Sequence, residues 1–248
     1  MNRLRRIRSG LRLLQPRELR LRAGPCPFCG PSLLVRLRCE ETCVRCLRCG
    51  ASAVHLSVGW ALQPFIGLLS GGDVYELSSR GPLVEWLRRR SGSLQVTEYY
   101  DDVAPGQHRD GIRCEDVQSL GFADAGFDLV THTEVFEHVP DDARGFSELF
   151  RVLRPGGRMV FTVPLTGQPA TVERARIEAG SLVHMLPPTY HTDLLRGAGR
   201  VLCFRDYGLD VVERVRRAGF CRVQLLEPDP RVPWGYGRRV LTAIKERT

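Results

Sequence analysis

Residues 127–135, Phe-Asp-Leu-Val-Thr-His-Thr-Glu-Val, form a near-continuous apolar run in the middle of the chain. Such a run is typical of a strand that is buried on both faces, as in the centre of a parallel sheet. Parallel strands are joined by connections that cross over the sheet, and those connections are usually helices. The run therefore favours a fold in which helices cover both faces of a largely parallel sheet.

The sequence around this run alternates between strand-like and helix-like segments from Gly71 onward, which is the pattern of an α/β domain. The last two predicted strands follow one another without a helix between them, which predicts an antiparallel strand at the sheet edge. Further strands are predicted at 73–77, 93–100, 111–117, 158–165, 221–228 and 238–246, and helices at 82–90, 140–157 and 207–220.

The chain has 248 residues and a formal net charge of +8, and the charge is unevenly distributed. Residues 1–50 hold 12 arginines against three glutamates, whereas the remainder is close to neutral. We predict a basic N-terminal segment at 1–24, a small module at 25–56 and the main domain at 57–248. Residues 4, 7, 11 and 14 are apolar at helical spacing, so the basic segment could contact a membrane surface or nucleic acid, or pack on its own domain.

Targeting signals in the sequence also indicate the cellular compartment in which the protein is expected. No run of 18 or more apolar residues occurs, and no apolar run with a cleavage site follows the basic start. Neither a membrane span nor a secretory signal is predicted from this pattern, and we expect a cytoplasmic protein.

Six of the nine cysteines are clustered between residues 26 and 49. Two Cys-x-x-Cys-Gly knuckles stand out, Cys26 with Cys29 and Cys46 with Cys49, because tight knuckles of this kind bring four thiolates around one tetrahedral zinc ion. Cys43 and Cys46 form another Cys-x-x-Cys pair, so a shifted ligand set is an alternative, as are idle thiols. The spacing predicts a structural zinc ribbon that folds with its ion.

The segment GFDLVTHTEVFEHVPDDARGFSELFRVLRPGGRMVFTVPL, residues 126–165, resembles the class I S-adenosylmethionine-dependent methyltransferases of the type 11 group. Its apolar strand, its Glu-His-Val-Pro turn and its Arg-Pro-Gly-Gly segment occur in the order and at the spacing of that family. The resemblance extends over roughly residues 71–246. It implies a Rossmann-like, seven-stranded, mostly parallel sheet and an enzyme that transfers methyl groups.

The loop VYELSSRGP, residues 74–82, lies where the family usually has three glycines that approach the cofactor. The resemblance gives Glu76 the acidic position and puts Ser78 at the first glycine position, whereas Gly81 is one place out of register. Serine is small enough for a close approach, and Gly81 with Pro82 suits a turn into a helix. We predict a rebuilt loop that still binds the cofactor.

The resemblance also implies contacts to the rest of the cofactor. Glu98 matches the acid that accepts the ribose hydroxyls, with Asp101 or Asp102 as alternatives, and Asp116 matches the residue that contacts the adenine amino group, with Glu115 as its rival. The predicted cofactor-binding residues are Glu76, Ser78, Gly81, Glu98, Asp116, Val117, Thr133 and Glu134.

Histidines in two places are candidates for a general base, since imidazole titrates near neutral pH. His138 follows the central strand, although it could instead cap the next helix. His191 lies in GSLVHMLPPTYHTDLL, residues 180–195, where such enzymes build the acceptor pocket. A second metal site formed by His184, His191 and Asp193 is an alternative to a general base in this segment.

Three functional classes fit these features. The neutral main domain favours a methyltransferase that acts on an oxygen or nitrogen of a small molecule or glycan. The alternatives are an RNA methyltransferase whose zinc ribbon holds the RNA, and a binding protein that has the fold without the activity. The main domain lacks a basic stripe with interleaved aromatic residues, which argues against RNA.

Overall fold

The computed structural model describes residues 15–192 and 199–247. The helices are α1 Ala53–Ala61, α2 Ile66–Leu69, α3 Pro82–Arg88, α4 Asp142–Val152 and α5 Val211–Arg217. Short 3₁₀ helices span Glu41–Cys43, Gln63–Phe65, Phe136–His138 and Pro233–Gly235. The strands are β1 Arg20–Cys26, β2 Gly30–Arg36, β3 Val44–Cys46, β4 Asp73–Glu76, β5 Ser93–Glu98, β6 His108–Arg109, β7 Ile112–Cys114, β8 Phe127–Thr133, β9 Leu153–Thr162, β10 Val172–Glu173, β11 Ala175–Glu178, β12 Ser181–His184, β13 Tyr190–Thr192, β14 Arg200–Leu202, β15 Arg205–Asp206, β16 Cys221–Leu226 and β17 Val240–Ile244.

The central sheet has the strand order β16-β17-β9-β8-β4-β5-β7-β6 within the described residues. The five strands β9, β8, β4, β5 and β7 are parallel. Strand order reverses between β4 and β8, so the crevice at their carboxyl ends is the place where open α/β sheets hold ligands. The Rossmann-like, mostly parallel sheet that the sequence predicts is confirmed.

Two details of the sheet differ from the prediction. The sheet has eight strands instead of seven, because His108–Arg109 adds a two-residue antiparallel strand beyond β7. The antiparallel strand β17 does not lie at the edge but between β9 and β16, and it pairs antiparallel with both. The direct connection from β16 reverses the direction of the chain, so β17 runs antiparallel to β16. It is therefore also antiparallel to β9, which runs in the same direction as β16.

Buried side chains cover both faces of the sheet, because alternate residues along each strand point to opposite faces. One face packs Tyr75, Val130 and Phe161 against the apolar sides of α4 and α5. The other face packs Val74, Leu129 and Val160 against α1 and α3. The apolar run at 127–135 thus supplies residues to both cores.

The N-terminal module is an antiparallel sheet of β1, β2 and β3. Strand β1 begins at Arg20, within the segment that the sequence assigns to a basic extension. The module packs on the second core, where the Phe28 ring meets the Trp86 ring of α3 edge-on with centroids 5.7 Å apart. The spaced apolar residues at 4, 7, 11 and 14 lie outside the described residues.

The segment between β9 and α5 contains three antiparallel pairs of short strands, β10 with β15, β11 with β12 and β13 with β14. Buried Arg205 fixes this segment to the turn after β8, since its guanidinium donates to the carbonyls of Phe136, Val139 and Pro140 at 2.6–2.9 Å. The same group pairs with Glu173 at 3.1 Å. The segment is thus held beside the carboxyl end of the central strand.

No helix in the part of the chain that the structure describes is long and apolar enough to cross a membrane.

Candidate functional site

A pocket of about 300 Å³ opens at the carboxyl ends of β4, β5, β7 and β8. The residues that line it come from the loops after these four strands and from the segment around β14. They are Tyr75, Leu77, Thr97, Glu98, Tyr99, Asp101, Glu115, Asp116, Val117, Gln118, Val135, His138, Val139, Pro140, Leu202 and Phe204. Mostly apolar walls with a few polar groups are typical of small-molecule sites.

Glu98, the predicted ribose acid, ends β5 and lines the pocket. Its Oε1 accepts two hydrogen bonds from Ser79 across the mouth of the loop, one from the backbone N–H at 2.8 Å and one from the hydroxyl at 2.7 Å. Of its predicted rivals, Asp101 also lines the pocket, whereas Asp102 pairs with Arg109 at the surface. Ser79 is a contact that the glycine pattern did not indicate.

Asp116 and Val117, predicted to contact adenine, also line the pocket, and so does the rival Glu115. The Glu115 carboxylate is buried and holds its own loop together, since it pairs with Arg113 at 2.6 Å and accepts from the Gly121 N–H at 2.9 Å. Asp116 accepts from the N–H and the side-chain amide of Gln118 at 2.9–3.1 Å. Since the Glu115 carboxylate stabilises its own loop, Asp116 is the better placed of the two to bind a ligand.

The other predicted residues of the first loop do not line this pocket. Glu76 is buried at the end of β4, where it accepts a hydrogen bond from Thr131, and burial raises the pKa of its carboxyl to about 8. The Ser78 hydroxyl donates to the Arg80 carbonyl at 3.2 Å. Gly81 precedes α3 with φ +114°, a backbone conformation that favours glycine. Of residues 77–82 in this loop, Leu77 alone lines the pocket.

Thr133 and Glu134 end the central strand and lie outside the pocket lining. Glu134 has φ +53°, which is uncommon for a residue with a side chain. Its carboxylate lies 3.3 Å from the Arg238 guanidinium. Burial and the nearby Glu137 raise the pKa of the Glu134 carboxyl to about 7. The Glu134 carboxylate therefore lies beside Arg238 and does not line the pocket.

His138 lines the pocket, and its ring Nδ1 lies 2.8 Å from the Leu202 carbonyl. The alternative that it caps the next helix is wrong, because Asp141 caps α4 by accepting from the Arg144 N–H at 3.0 Å. The His191 ring stands edge-on to the His138 ring with centroids 4.9 Å apart. The two predicted base candidates therefore meet at one place.

Cys203 joins the two histidines, which the sequence did not indicate. One nitrogen of each imidazole and the Cys203 Sγ lie within 4.8 Å of one another. His184, the other histidine of the predicted acceptor segment, is exposed on β12, and Asp193 lies outside the described residues. Cys114 and Cys203 are buried, whereas Cys221 is only partly buried.

The sulfur atoms of the four predicted zinc ligands converge in the N-terminal module. The Sγ atoms of Cys26, Cys29, Cys46 and Cys49 lie within 4.8 Å of one another, and the Cys26–Cys49 and Cys29–Cys46 separations are both 3.6 Å. A tetrahedral ion with ~2.3 Å bonds to sulfur has ligands roughly 3.8 Å apart, so the geometry fits such an ion. Cys39 and Cys43 are outside this group.

Residues 68–161 match the family model described as a methyltransferase domain. The matched segment runs from α2 through most of β9 and includes the loops that line the pocket after β4, β5, β7 and β8.

Two curated relatives are each similar to part of this chain. A demethylmenaquinone methyltransferase of Deinococcus radiodurans is 34% identical over 125 residues, which are 48% of this chain and 48% of that protein. A ubiquinone biosynthesis O-methyltransferase of Xanthomonas axonopodis pv. citri is 33% identical over 102 residues, 40% of this chain and 42% of that protein. The chain spans less than half of the length of either relative.

Among solved structures, an S-adenosylmethionine dependent methyltransferase from Mesorhizobium loti aligns over 76% of this chain and 97% of its own, with a TM-score of 0.49 and 21% identity.

Proposed function

We propose that this chain, which carries a methyltransferase domain, binds S-adenosylmethionine in the pocket at the carboxyl ends of its parallel strands and methylates a small acceptor. The methylated atom in this proposal is an oxygen or nitrogen, and a small molecule or a glycan would supply it. The observation that carries the proposal is the position of Glu98 and Asp116. Both carboxylates line one pocket at the reversal point of the sheet, within the segment that matches the family.

Each carboxylate has a distinct part in this proposal. Glu98 would accept hydrogen bonds from the two ribose hydroxyls, since one carboxylate can accept several at once. Asp116 would accept one from the adenine amino group, and the apolar side chain of Val117 would cover the adenine ring. The Ser79–Glu98 hydrogen bonds support this arrangement, because they fix the direction of the ribose acid before any ligand arrives.

The remaining pocket wall suits the transfer step. Val135, Val139, Leu202 and Phe204 are apolar and line the side near β8 and β14. The sulfonium methyl and the acceptor would meet on this side, in line with the departing sulfur. Alignment and the exclusion of water supply much of the acceleration of such a displacement.

The charge of the main domain argues for a small acceptor instead of a nucleic acid. The chain after residue 50 is close to neutral, so it offers no excess of positive charge to a phosphate backbone. The same reasoning leaves RNA methylation, the alternative raised by the basic N-terminus, as the less supported function.

For the N-terminal module, we infer a structural zinc ion held by the thiolates of Cys26, Cys29, Cys46 and Cys49. The tetrahedral spacing of the sulfurs supports it. The ion would stabilise a module that has few buried residues of its own and that packs on α3 through Phe28.

Calorimetric titration of the zinc-loaded chain with S-adenosylmethionine and S-adenosylhomocysteine tests the proposed function. The chain should bind both, and Glu98→Gln and Asp116→Ala should each weaken binding about tenfold or more, as expected for about 1.4 kcal/mol or more. Glu85→Gln is the matched control, because Glu85 is exposed on α3, pairs with Arg88 and does not line the pocket. Absent binding by a folded chain would overturn the proposal and favour a binding protein without methyltransferase activity.

A further inference from the structure

We propose that His138, His191 and Cys203 bind a zinc ion beside the pocket, separate from the ribbon site, and that this ion activates the methyl acceptor. The assignment of zinc rests on the cluster itself, whereas the role in acceptor activation rests on the proposed function. Two imidazole nitrogens and a thiolate form a ligand set typical of zinc, and three protein ligands with an open fourth position are typical of a catalytic zinc site.

The three ligands come from segments that backbone hydrogen bonds hold together. His138 ends the 3₁₀ turn after β8, His191 lies in β13, and Cys203 follows β14, which pairs with β13. The Cys203 N–H donates to the Thr189 carbonyl at 2.8 Å. The next residue donates its N–H to the Glu137 carbonyl at 2.7 Å, beside His138. Backbone hydrogen bonds therefore hold the three segments that carry the ligands next to one another.

The tautomer of His138 suits metal binding. Because a carbonyl oxygen only accepts, the Nδ1 atom 2.8 Å from the Leu202 oxygen must carry the proton. The lone pair is then on Nε2, which lies 3.6 Å from Glu137 Oε1. A ligating histidine commonly donates its other nitrogen to a carbonyl in this way, which fixes the ring and raises its basicity.

Glu137 is the second observation that points to a cation. Its side chain is only 2% exposed, and neither carboxylate oxygen has a hydrogen-bond partner among the described residues. Oε1 lies 3.6 Å from the His138 ring and 3.5 Å from His191 Nδ1, longer than a hydrogen bond. Burial of a carboxylate that accepts no hydrogen bond is costly, and a divalent cation between these groups would offset the cost.

The position of the cluster gives the ion access to a ligand. His138 lines the pocket together with Leu202 and Phe204, the residues on either side of Cys203 in the chain. The His191 side chain is 43% exposed, so the cluster is open on one side. A small molecule with a hydroxyl group could therefore coordinate the ion from the pocket or from this open side.

In the resulting reaction, the acceptor hydroxyl coordinates zinc, which lowers its pKa, and its proton leaves to solvent. The oxygen then attacks the methyl carbon of S-adenosylmethionine. The new oxygen–carbon bond forms as the carbon–sulfur bond breaks, and the electron pair of that bond remains on sulfur in S-adenosylhomocysteine. The histidines predicted as general bases would on this account be ligands of the ion.

Metal analysis of the purified full chain tests the inference. After equilibration with excess Zn²⁺ and removal of unbound metal, wild type should retain about two zinc ions per chain, and His191→Ala and Cys203→Ser should each retain about one. The matched controls are His184→Ala, an exposed histidine on β12, and Cys221→Ser, whose thiol faces the Ile244 carbonyl. Both controls should retain the wild-type amount.

Substitution of Co²⁺ for zinc provides a second readout, since the thiolate–cobalt absorption reports ligands directly. His191→Ala should remove the spectrum of the histidine–cysteine site and leave that of the four-cysteine site. Equal metal content and equal spectra in wild type and His191→Ala would overturn the inference and leave an ion pair between His191 and Glu137. Calorimetry with S-adenosylmethionine separates the two proposals, because His191→Ala should still bind the cofactor if only the metal assignment is wrong.

Discussion

Ser79 and Glu98 join the loop after β4 to the end of β5, with the Ser79 N–H and hydroxyl both donating to one oxygen of the Glu98 carboxylate at 2.8 and 2.7 Å. In the usual glycine-rich loop, this stretch contacts the cofactor through its backbone. Here a serine side chain supports the acid that is predicted to hold the ribose. Two hydrogen bonds from Ser79 thus connect this loop to the Glu98 carboxylate, at a place where the family usually has glycines.

The two serines of this loop should differ in their effect on cofactor affinity. Ser79→Ala removes one hydrogen bond to Glu98, worth about 1 kcal/mol, so the Kd for S-adenosylmethionine should rise about fivefold. Ser78→Ala should change the Kd less, because the Ser78 hydroxyl donates to the Arg80 carbonyl and does not line the pocket. Calorimetry of the two variants decides, and a larger effect at Ser78 would favour the glycine-position assignment made from the sequence.

Arg205 should be critical for stability. Its guanidinium is buried, donates to three carbonyls and pairs with Glu173, so Arg205→Ala removes the side-chain donor of the Val139 and Pro140 carbonyls and one of the two arginines that pair with Glu173. We expect the free energy of unfolding to fall by about 3–5 kcal/mol, measured by urea denaturation. Lysine should not rescue it, since an ammonium group cannot reproduce the planar fork.

Arg216 is the control for this prediction, because it is exposed on α5 and pairs with Glu213 at 3.7 Å. Arg216→Ala should cost less than about 1 kcal/mol. A similar small loss in Arg205→Ala would mean that the segment between β9 and α5 is held by its strand pairs and not by Arg205.

Glu76 should make stability depend on pH. Burial raises the pKa of its carboxyl from 4.5 to about 8, so between these values the folded chain holds a proton that the unfolded chain has lost. Its contribution to the free energy of unfolding therefore falls as the pH rises through this window, by about 1.4 kcal/mol per unit. Glu76→Gln cannot release that proton, and its stability relative to wild type should increase over the same window. Urea denaturation of wild type and Glu76→Gln at several pH values in this window measures the effect. A constant difference between their free energies of unfolding would contradict the prediction.

Metal removal should destabilise more than the N-terminal module, because Phe28 packs on Trp86 of the main domain. We expect Cys46→Ser to lower the free energy of unfolding by at least about 1 kcal/mol, or Tm by about 2–4 °C. Cys39→Ser is the matched control, since Cys39 is exposed and outside the sulfur cluster. Equal melting curves for the two variants, followed by Trp fluorescence, would argue against a structural ion.

The fold could be predicted largely from local pattern. The apolar run at 127–135 and the helix signals around it each depend on neighbouring residues, and the sequence predicts the central strand β8 on that basis. Strand β9 begins at Leu153, within the segment that the sequence predicts as helix. The eighth strand could not be foreseen, because His108–Arg109 is too short to have a periodic pattern. The position of β17 depends on long-range pairing with β9, which no local signal reports.

The candidate site also contains residues that local pattern could predict and one that it could not. Glu98, Asp116, Val117 and His138 directly follow strands or the turn after one, so their place at the pocket could be predicted from strand ends. Cys203 was missed because it meets the two histidines only through the folding of β13 and β14 onto the turn after β8. An isolated cysteine in apolar surroundings looks the same in the sequence, whatever it contacts.

The most direct test of the central claim is a crystal structure of the full chain with S-adenosylhomocysteine. The account predicts that the ribose hydroxyls lie within hydrogen-bond distance of the Glu98 carboxylate and the adenine amino group within the same distance of Asp116. Binding of S-adenosylhomocysteine elsewhere, or in this pocket without either contact, would contradict it.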